Sequence, residues 1–207
     1  IIGAGAVGRG LIGSLFSRAG HAVWFVDTDH QLVEALEFRR FWLERNALRG
    51  NNDPRGLYRA TEKMEDALNW AETIFVSVRP ENLFTVSAAL GNSHDSFIQN
   101  VVVCENTPDA AGKMRSVLIG HLNVVNGIAE AIIPEMPDEL RLDPTLSYSD
   151  PDGKLLIDAP QWRGNHLNVR GIEYVENFGF HWDLKWYCHC APHFIVGALG
   201  LKRQEIY

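Results

Sequence analysis

The chain has 207 residues, and 46% of them are hydrophobic, which is enough for one large or two small domains with a packed core. A net charge of −7 without any block of lysine and arginine argues against a nucleic acid or an anionic membrane as partner. No apolar run approaches the roughly 18 residues that span a bilayer, no signal peptide is visible, and 3 cysteines are too few for a disulfide framework, so we expect a cytoplasmic location.

The first ten residues carry the clearest motif of the chain. Gly3, Gly5 and Gly8 fit the G-x-G-x-x-G spacing between a strand and a helix. The first glycine allows a tight turn, the second lets the backbone approach a pyrophosphate, and the third lets the helix pack closely on the strand. An ordinary strand–turn–helix without a ligand is the alternative. We predict a dinucleotide site formed by Gly3, Gly5, Ala6, Val7 and Gly8.

The residues after this motif favour the dinucleotide interpretation. An amphipathic helix is predicted over 11–19, Gly20 is suited to end it, and an apolar strand over 22–26 leads to Asp27. An acidic side chain at this distance from the glycines accepts hydrogen bonds from the ribose hydroxyls of NAD. It would repel the 2′-phosphate of NADP. The predicted cofactor is therefore NAD.

Strands and helices then alternate along the chain. Helices are predicted over 30–46, 61–70, 81–90 and 109–119, strands over 57–60, 73–78, 100–104 and 155–157, and turns over 49–56 and in a loop that contains Gly164 and Gly171. This order predicts an α/β fold with a Rossmann-type doubly wound parallel sheet. Ligands of such sheets bind beyond the carboxyl ends of the strands, so 78–82 and 104–106 should join the glycine turn and Asp27 at one crevice, with Val78 contacting the cofactor.

The last part of the chain has a different character. A helix is predicted over 184–201, with a kink at Pro192. We expect an NAD-binding domain over 1–178 and the beginning of a mostly α-helical substrate domain over 179–207. The chain opens inside its first strand and stops soon after this helix, so both ends look cut.

Two side chains of this predicted helix suggest chemistry. Lys185 and His193 fall about 80° apart around a helix, so both can face one cleft. A partly desolvated lysine loses proton affinity, which suits a general base for an alcohol. A solvated lysine and a hydrogen-bonded core histidine are the plainer interpretations. The adjacent Cys188, His189 and Cys190 do not have the spacing of a zinc framework, so no metal is predicted.

The chain resembles the polyol-specific long-chain dehydrogenases, also called the mannitol dehydrogenase family. The resemblance spans the whole chain but only the N-terminal part of the family's length. It rests on the glycine motif over 3–10, Cys104-Glu-Asn106, Asn126 in an apolar segment over 124–134, and Lys185 with His193 ahead of an Ala-Leu-Gly over 198–200.

The resemblance implies a zinc-independent oxidoreductase that uses NAD to interconvert a sugar alcohol, or its phosphate, and the corresponding ketose, such as mannitol 1-phosphate and fructose 6-phosphate. It implies that Lys185 is the base, that His193 positions the substrate and that Asn106 holds the reacting oxygen. Cys190 stands where the family has a second asparagine. A small-molecule polyol or sugar phosphate is then the partner of a monomer or a small homo-oligomer.

Two alternatives remain from the sequence. The segment 19–23 with Asp27 also suits a 3-hydroxyacid or hydroxyacyl dehydrogenase, although the Cys-Glu-Asn motif and the Lys185–His193 spacing argue against that class. Cys190 in place of an amide also fits a nucleotide-binding homologue with impaired catalysis.

Overall fold

The computed structural model describes residues 1–46, 50, 52–91, 98–105, 107, 109–118, 122–130, 136–149 and 153–178. The first helical segment is π-helical over Gly8–Gly13 and continues as an α-helix, α1. The α-helices are α1 (Ser14–Arg18), α2 (His30–Arg39), α3 (Met64–Leu68), α4 (Leu83–Gly91) and α5 (Ala110–Arg115). The strands are β1 (Trp24–Val26), β2 (Phe41–Asn46), β3 (Asn52–Gly56), β4 (Arg59–Thr61), β5 (Thr73–Val76), β6 (Asn100–Val103), β7 (Val124–Glu130), β8 (Leu146–Ser149), β9 (Lys154–Asp158) and β10 (Ile172–Val175).

The main sheet has the strand order of a doubly wound fold. Ile2 forms parallel bridges to Val26 of β1 and to Val76 of β5, so the N-terminal segment lies between these two strands. β4 extends the sheet beyond β1, while β6 and β7 follow β5, all in parallel. The resulting order is β4-β1-Ile2-β5-β6-β7. The predicted Rossmann-type α/β fold is confirmed.

Buried side chains on both faces of this sheet explain why helices cover it on two sides. Phe75 and Val102 belong to a core cluster that includes Leu11, Leu15 and Leu36 from the segment Gly8–Arg18 and α2. Their neighbours along the same strands, such as Val76 and Val103, point into a second cluster that includes Leu68, Val86, Leu90, Ala111 and Met114 from α3, α4 and α5. The near-continuous apolar runs of β5 and β6 thus fill two cores, as expected of buried parallel strands.

The prediction of one helix over 30–46 was wrong in its second half. α2 ends at Arg39, and Arg40 adopts a left-handed conformation with φ of 60°. The chain then forms β2, which pairs antiparallel with β3 and parallel with β8. Trp42 is fully buried against Phe25, with ring centroids 5.2 Å apart. Because this contact lies between elements distant in sequence, the local helical periodicity did not reveal it.

The prediction of a turn over 49–56 was wrong for the same part of the structure, because Asn52–Gly56 is β3. Glu44 of β2 is 2% exposed, and it forms ion pairs with Arg18 and with Arg55 of β3. The Arg55 Nε–Glu44 Oε2 distance is 2.6 Å. These ion pairs hold β2, β3 and α1 together, although the glycine, asparagine and proline content of 49–56 favoured a turn.

Smaller differences between the predicted and the observed elements concern several parts of the fold. β9 runs antiparallel to β7, and β10 pairs with β9 in parallel, so the sheet is mixed at this edge. β7, β8 and β10 were not predicted as strands, and the strand expected over 57–60 lies at Arg59–Thr61. Within 109–118, the described part of the helix predicted over 109–119, the helix is Ala110–Arg115, and the side chain of Asp109 caps it by accepting from the N–H of Gly112.

The helix predicted over 184–201 and the proposed second domain over 179–207 lie outside the described residues. In the part of the chain that the structure describes, no helix has the length and apolar character needed to cross a membrane.

Candidate dinucleotide site

The turn that follows Ile2 can be built only with glycine at position 3. Gly3 has φ of 92°, a conformation that side chains rarely adopt. A Cβ atom at this position would lie 2.2 Å from the carbonyl oxygen of Ser77, at the end of β5. The first glycine of the motif therefore lets the turn pass against the neighbouring strand.

Gly8 and Gly5 differ in what surrounds them. A Cβ atom at Gly8 would lie 1.9 Å from the carbonyl oxygen of Gly3, so the helix approaches the turn as closely as its backbone allows. A Cβ atom at Gly5 would meet nothing within 4 Å. Gly5 and Ala6 are exposed, and Val7 is half-buried. The start of the helix thus borders open space, with room for a ligand group to approach the backbone.

Asp27 lies directly beside this turn, as the sequence predicted. It follows β1, and its Oδ2 accepts a hydrogen bond of 2.6 Å from the N–H of Ala4. Its Oδ1 accepts one of 3.0 Å from the N–H of Asp29. Each carboxylate oxygen retains a free lone-pair direction, so the group can still accept from a ribose hydroxyl.

Val78 and Ser77 close the other side of the turn. Val78 is half-buried, and its Cγ1 would lie 3.1 Å from a Cβ atom placed on Gly3. The hydroxyl of Ser77 donates to the carbonyl oxygen of Gly3 at 3.3 Å. The structure thus brings together all seven predicted cofactor residues: Gly3, Gly5, Ala6, Val7, Gly8, Asp27 and Val78.

Arg9 also belongs to this site, although no role was predicted for it from its place in the glycine motif. Its side chain is buried beneath the turn, where Nε donates to the carbonyl oxygen of Ala4 and Nη1 donates to that of Pro144 at 2.8 Å. Burial lowers the pKa of Arg9 to about 10, while the charges of Asp27, Asp143 and Asp29 act to raise it. The guanidinium therefore stays charged at neutral pH. The visible signal was an arginine between two glycines in an otherwise apolar helical segment.

A carboxyl group with a raised pKa, that of Glu105, follows β6, which is paired with β5. Glu105 follows β6, and Glu81 lies in the turn Pro80–Asn82 after β5. Burial raises the pKa of Glu105 to about 8, and the negative charge of Glu81 adds to the effect. Glu105 therefore holds its proton near neutral pH, which residue types alone do not reveal.

Asn106, Lys185 and His193, the predicted catalytic residues, lie outside the described residues, and so do Cys188, His189 and Cys190. Across the described ranges, no group of three or more histidine, cysteine or acidic side chains is arranged to hold a metal ion. Cys104 is buried next to Glu105.

The observed geometry fits a dinucleotide. The site combines an open backbone cradle at Gly5, a helix beginning at that cradle and a carboxylate beside it, which are the parts that receive a pyrophosphate and a ribose. Fold and site together define a Rossmann-type dinucleotide-binding protein.

Comparison with known proteins identifies the family. The model of the family described as NADP oxidoreductase, coenzyme F420-dependent, matches residues 1–104, which is half of the chain. The chain belongs to this family.

One curated relative covers nearly the whole chain at low identity. The mannitol-1-phosphate 5-dehydrogenase of Shouchella clausii (strain KSM-K16) is 24% identical over 223 residues, which cover 98% of this chain and 60% of the relative. The chain therefore spans about 60% of the length of the relative that it matches.

Solved structures share the fold. A PanE/ApbA family ketopantoate reductase from Ralstonia eutropha JMP134 matches with a TM-score of 0.60 and 20% identity, over 85% of this chain and 56% of its own. D-mandelate dehydrogenase, solved with NADH and anilino(oxo)acetate, matches with a TM-score of 0.65 and 12% identity, over 87% of this chain and 58% of its own. At these identities the likeness establishes the fold alone.

Proposed function

We propose that the chain is the cofactor-binding part of an NAD-dependent oxidoreductase that interconverts a sugar alcohol, or its phosphate, and the corresponding ketose. The observation that carries the proposal is the glycine turn held against the carboxylate of Asp27 by the 2.6 Å hydrogen bond from Ala4. Membership of an oxidoreductase family supports the reaction class. The name of the relative from Shouchella clausii supports mannitol 1-phosphate and fructose 6-phosphate as the substrate pair.

The choice of NAD rests on charge. In this proposal Asp27 lies beside the adenosine ribose of the dinucleotide, and Asp29 follows two residues later as the cap of α2. Two carboxylates oppose the 2′-phosphate of NADP. The family description names NADP, so this chain would be a member whose acidic residues favour the cofactor without that phosphate.

A bound nicotinamide would supply the hydride chemistry, and the residues of the protein would orient the substrate and transfer the proton. In the proposed mechanism, Lys185 removes the proton of the substrate hydroxyl. Asn106 donates a hydrogen bond to the oxygen as negative charge develops on it, and His193 orients the substrate. Cys190 stands where the resembled family has an asparagine, whose amide would donate a second hydrogen bond to the same oxygen as Asn106. A thiol is a weaker donor than an amide.

A substrate panel tests this function. The full-length protein is mixed with NADH and with fructose 6-phosphate, fructose, hexuronates or 3-keto acids, and consumption of NADH is followed. The proposal expects turnover with fructose 6-phosphate or another ketose. Turnover with 3-keto acids alone would replace the polyol assignment by a hydroxyacid dehydrogenase. Binding of NADH without turnover of any ketose would indicate a catalytically impaired homologue.

A further inference from the structure

Arg9 is a buried cation in an otherwise apolar helical segment. Its side chain is 7% exposed, and its neighbours in the helical segment, including Leu11 and Ile12, fill an apolar core. Within the described ranges no carboxylate forms an ion pair with it, and its guanidinium donates to two backbone carbonyl oxygens. The charges of Asp27, Asp143 and Asp29 act on it without direct contact. Burying a charge without a direct ion pair is costly, so such a residue is expected to serve a ligand or a specific geometry.

The contacts of Arg9 fix the peptide groups of the glycine turn. The carbonyl of Ala4 accepts from the Nε of Arg9, while the N–H of Ala4 donates to Asp27. The carbonyl of Gly5 accepts from the backbone N–H of Arg9 at 2.9 Å, and that of Gly3 accepts from the hydroxyl of Ser77. The carbonyl oxygens of the turn are thus directed into the protein. The N–H groups at the start of a helix, which lack partners within the helix, are left for a ligand on the exposed side at Gly5.

The far end of Arg9 is anchored by a distant segment. Its Nη1 donates to Pro144, whose neighbour Asp143 pairs with Arg39 of α2 at 2.7 Å. The hydroxyl and the N–H of Thr145 also bind Asp143. The guanidinium is therefore held between the glycine turn and the start of β8.

The charge of Arg9 has a second consequence at this place. Asp27 puts a negative charge beside the turn, and a pyrophosphate brings about two more. Charges in a partly buried site are screened less than charges in water. A fixed positive charge beneath the turn offsets this repulsion.

We propose that Arg9 is a positioning residue for the pyrophosphate of the cofactor. Its buried guanidinium holds the Ala4 carbonyl away from the phosphates and supplies the positive charge that balances Asp27. This inference rests on the proposed function, because it needs a dinucleotide at the glycine turn.

The test compares two ligands that differ in their phosphates. ADP and adenosine are titrated against the full-length protein and its variants by displacement of NADH fluorescence. The variant Arg9→Met should bind ADP about tenfold or more less tightly, and adenosine at most about twofold less tightly, because only ADP carries the diphosphate. Arg9→Lys keeps the charge but cannot hold both carbonyls, so its ratio of ADP to adenosine affinity should fall by about threefold.

The controls separate this role from a purely structural one. Melting temperatures show whether each variant folds, and Arg9→Gln replaces Arg9→Met if the methionine variant does not. A ratio of ADP to adenosine affinity that stays at the wild-type value in a folded neutral variant overturns the proposal. If neither neutral variant folds and Arg9→Lys keeps the wild-type ratio, Arg9 serves folding alone, and the proposal fails. Wild-type protein that binds neither NADH nor ADP would instead refute the proposed function.

Discussion

The carboxylate of Asp27 and the backbone N–H of Ala4 meet at 2.6 Å, which joins the end of β1 to the glycine turn. One side chain therefore both stabilises the turn and places negative charge beside it. The two roles can be separated experimentally, because asparagine keeps one acceptor oxygen for the N–H of Ala4, although it loses the bond from the N–H of Asp29 and has no charge.

Asp27→Asn should narrow the preference for NADH over NADPH by about tenfold, because the 2′-phosphate no longer meets a like charge at this residue. Asp27→Ala should narrow it as well and also lower the melting temperature, since the bond to Ala4 is lost. Fluorescence titration of both reduced cofactors measures the preference, with Asp66→Asn at an exposed position of α3 as the matched control. Equal or reversed affinities in the wild-type protein would contradict the role of Asp27.

Alanine substitutions at Gly5 and Gly8 should change different properties: Gly8→Ala should lower stability, and Gly5→Ala should lower the affinity for NADH. At Gly8 the new methyl group would lie 1.9 Å from a carbonyl oxygen, so the variant should lose about 1–3 kcal/mol or more of stability. At Gly5 the methyl group meets no protein atom within 4 Å, so stability should change by less than about 1 kcal/mol. NADH affinity of the Gly5 variant should nevertheless fall about tenfold, since the methyl group enters the space left for phosphate. Urea unfolding and NADH titration measure the two effects, and unchanged NADH binding by Gly5→Ala would argue against a phosphate at this turn.

Glu105 should make the stability of the protein depend on pH. Its pKa is raised from 4.5 to about 8 in the folded state, so the folded state holds a proton that the unfolded state releases. The contribution of Glu105 to stability is therefore full below pH 4.5 and is lost as the pH rises through about 8. Melting temperatures between about pH 5 and 9 measure this loss.

Glu105→Gln should flatten that profile, because an amide has no proton to release. Replacing the exposed Glu65 of α3 by glutamine is the control and should leave the profile as it is. An equally steep decline in the Glu105 variant would show that another group is responsible.

The parts of the fold that local pattern determines could be predicted from the sequence. The spacing of Gly3, Gly5 and Gly8 predicts the turn. The apolar strand that ends at Asp27 predicts that its carboxylate lies beside this turn. β2 and β3 could not be predicted, because Trp42 and Glu44 are buried by Phe25, Arg18 and Arg55 from other elements. Such contacts override a helical periodicity that is weak in itself.

The role of Arg9 escaped the sequence for a related reason. Its anchor, Pro144, lies 135 positions further along the chain, and no local pattern connects the two. The raised pKa of Glu105 likewise depends on burial and on the charge of Glu81, which follows the neighbouring strand β5. Residue type and spacing thus indicate which groups are present, whereas burial and long-range contacts decide their charge and geometry.

Lys185→Ala should lower kcat by about 10²–10⁴-fold with nearly unchanged NADH affinity, if Lys185 is the general base and the glycine turn holds the cofactor. Lys63→Ala, at an exposed position ahead of α3, is the control. Steady-state turnover and NADH titration separate kcat from binding. Wild-type turnover in Lys185→Ala would end the proposed mechanism.

Cys190→Asn restores an amide where the resembled family has one. It should raise kcat, because one donor to a developing oxyanion contributes up to about 2.7–4 kcal/mol. Chelators should leave turnover unchanged in both proteins, because no metal takes part in the proposed proton transfer. Loss of activity on removal of a stoichiometric zinc would instead point to Cys188, Cys190 and His193 as ligands.

Transfer of deuterium tests the central claim most directly. The full-length protein is incubated with fructose 6-phosphate and with NADH in which both hydrogens at nicotinamide C4 are deuterium, and the sugar alcohol phosphate is analysed by mass spectrometry. We predict a product with a single deuterium on the carbon that bore the carbonyl group, because the hydride passes directly from cofactor to substrate. Bound NADH with no deuterated alcohol formed from this or any other ketose would contradict the account.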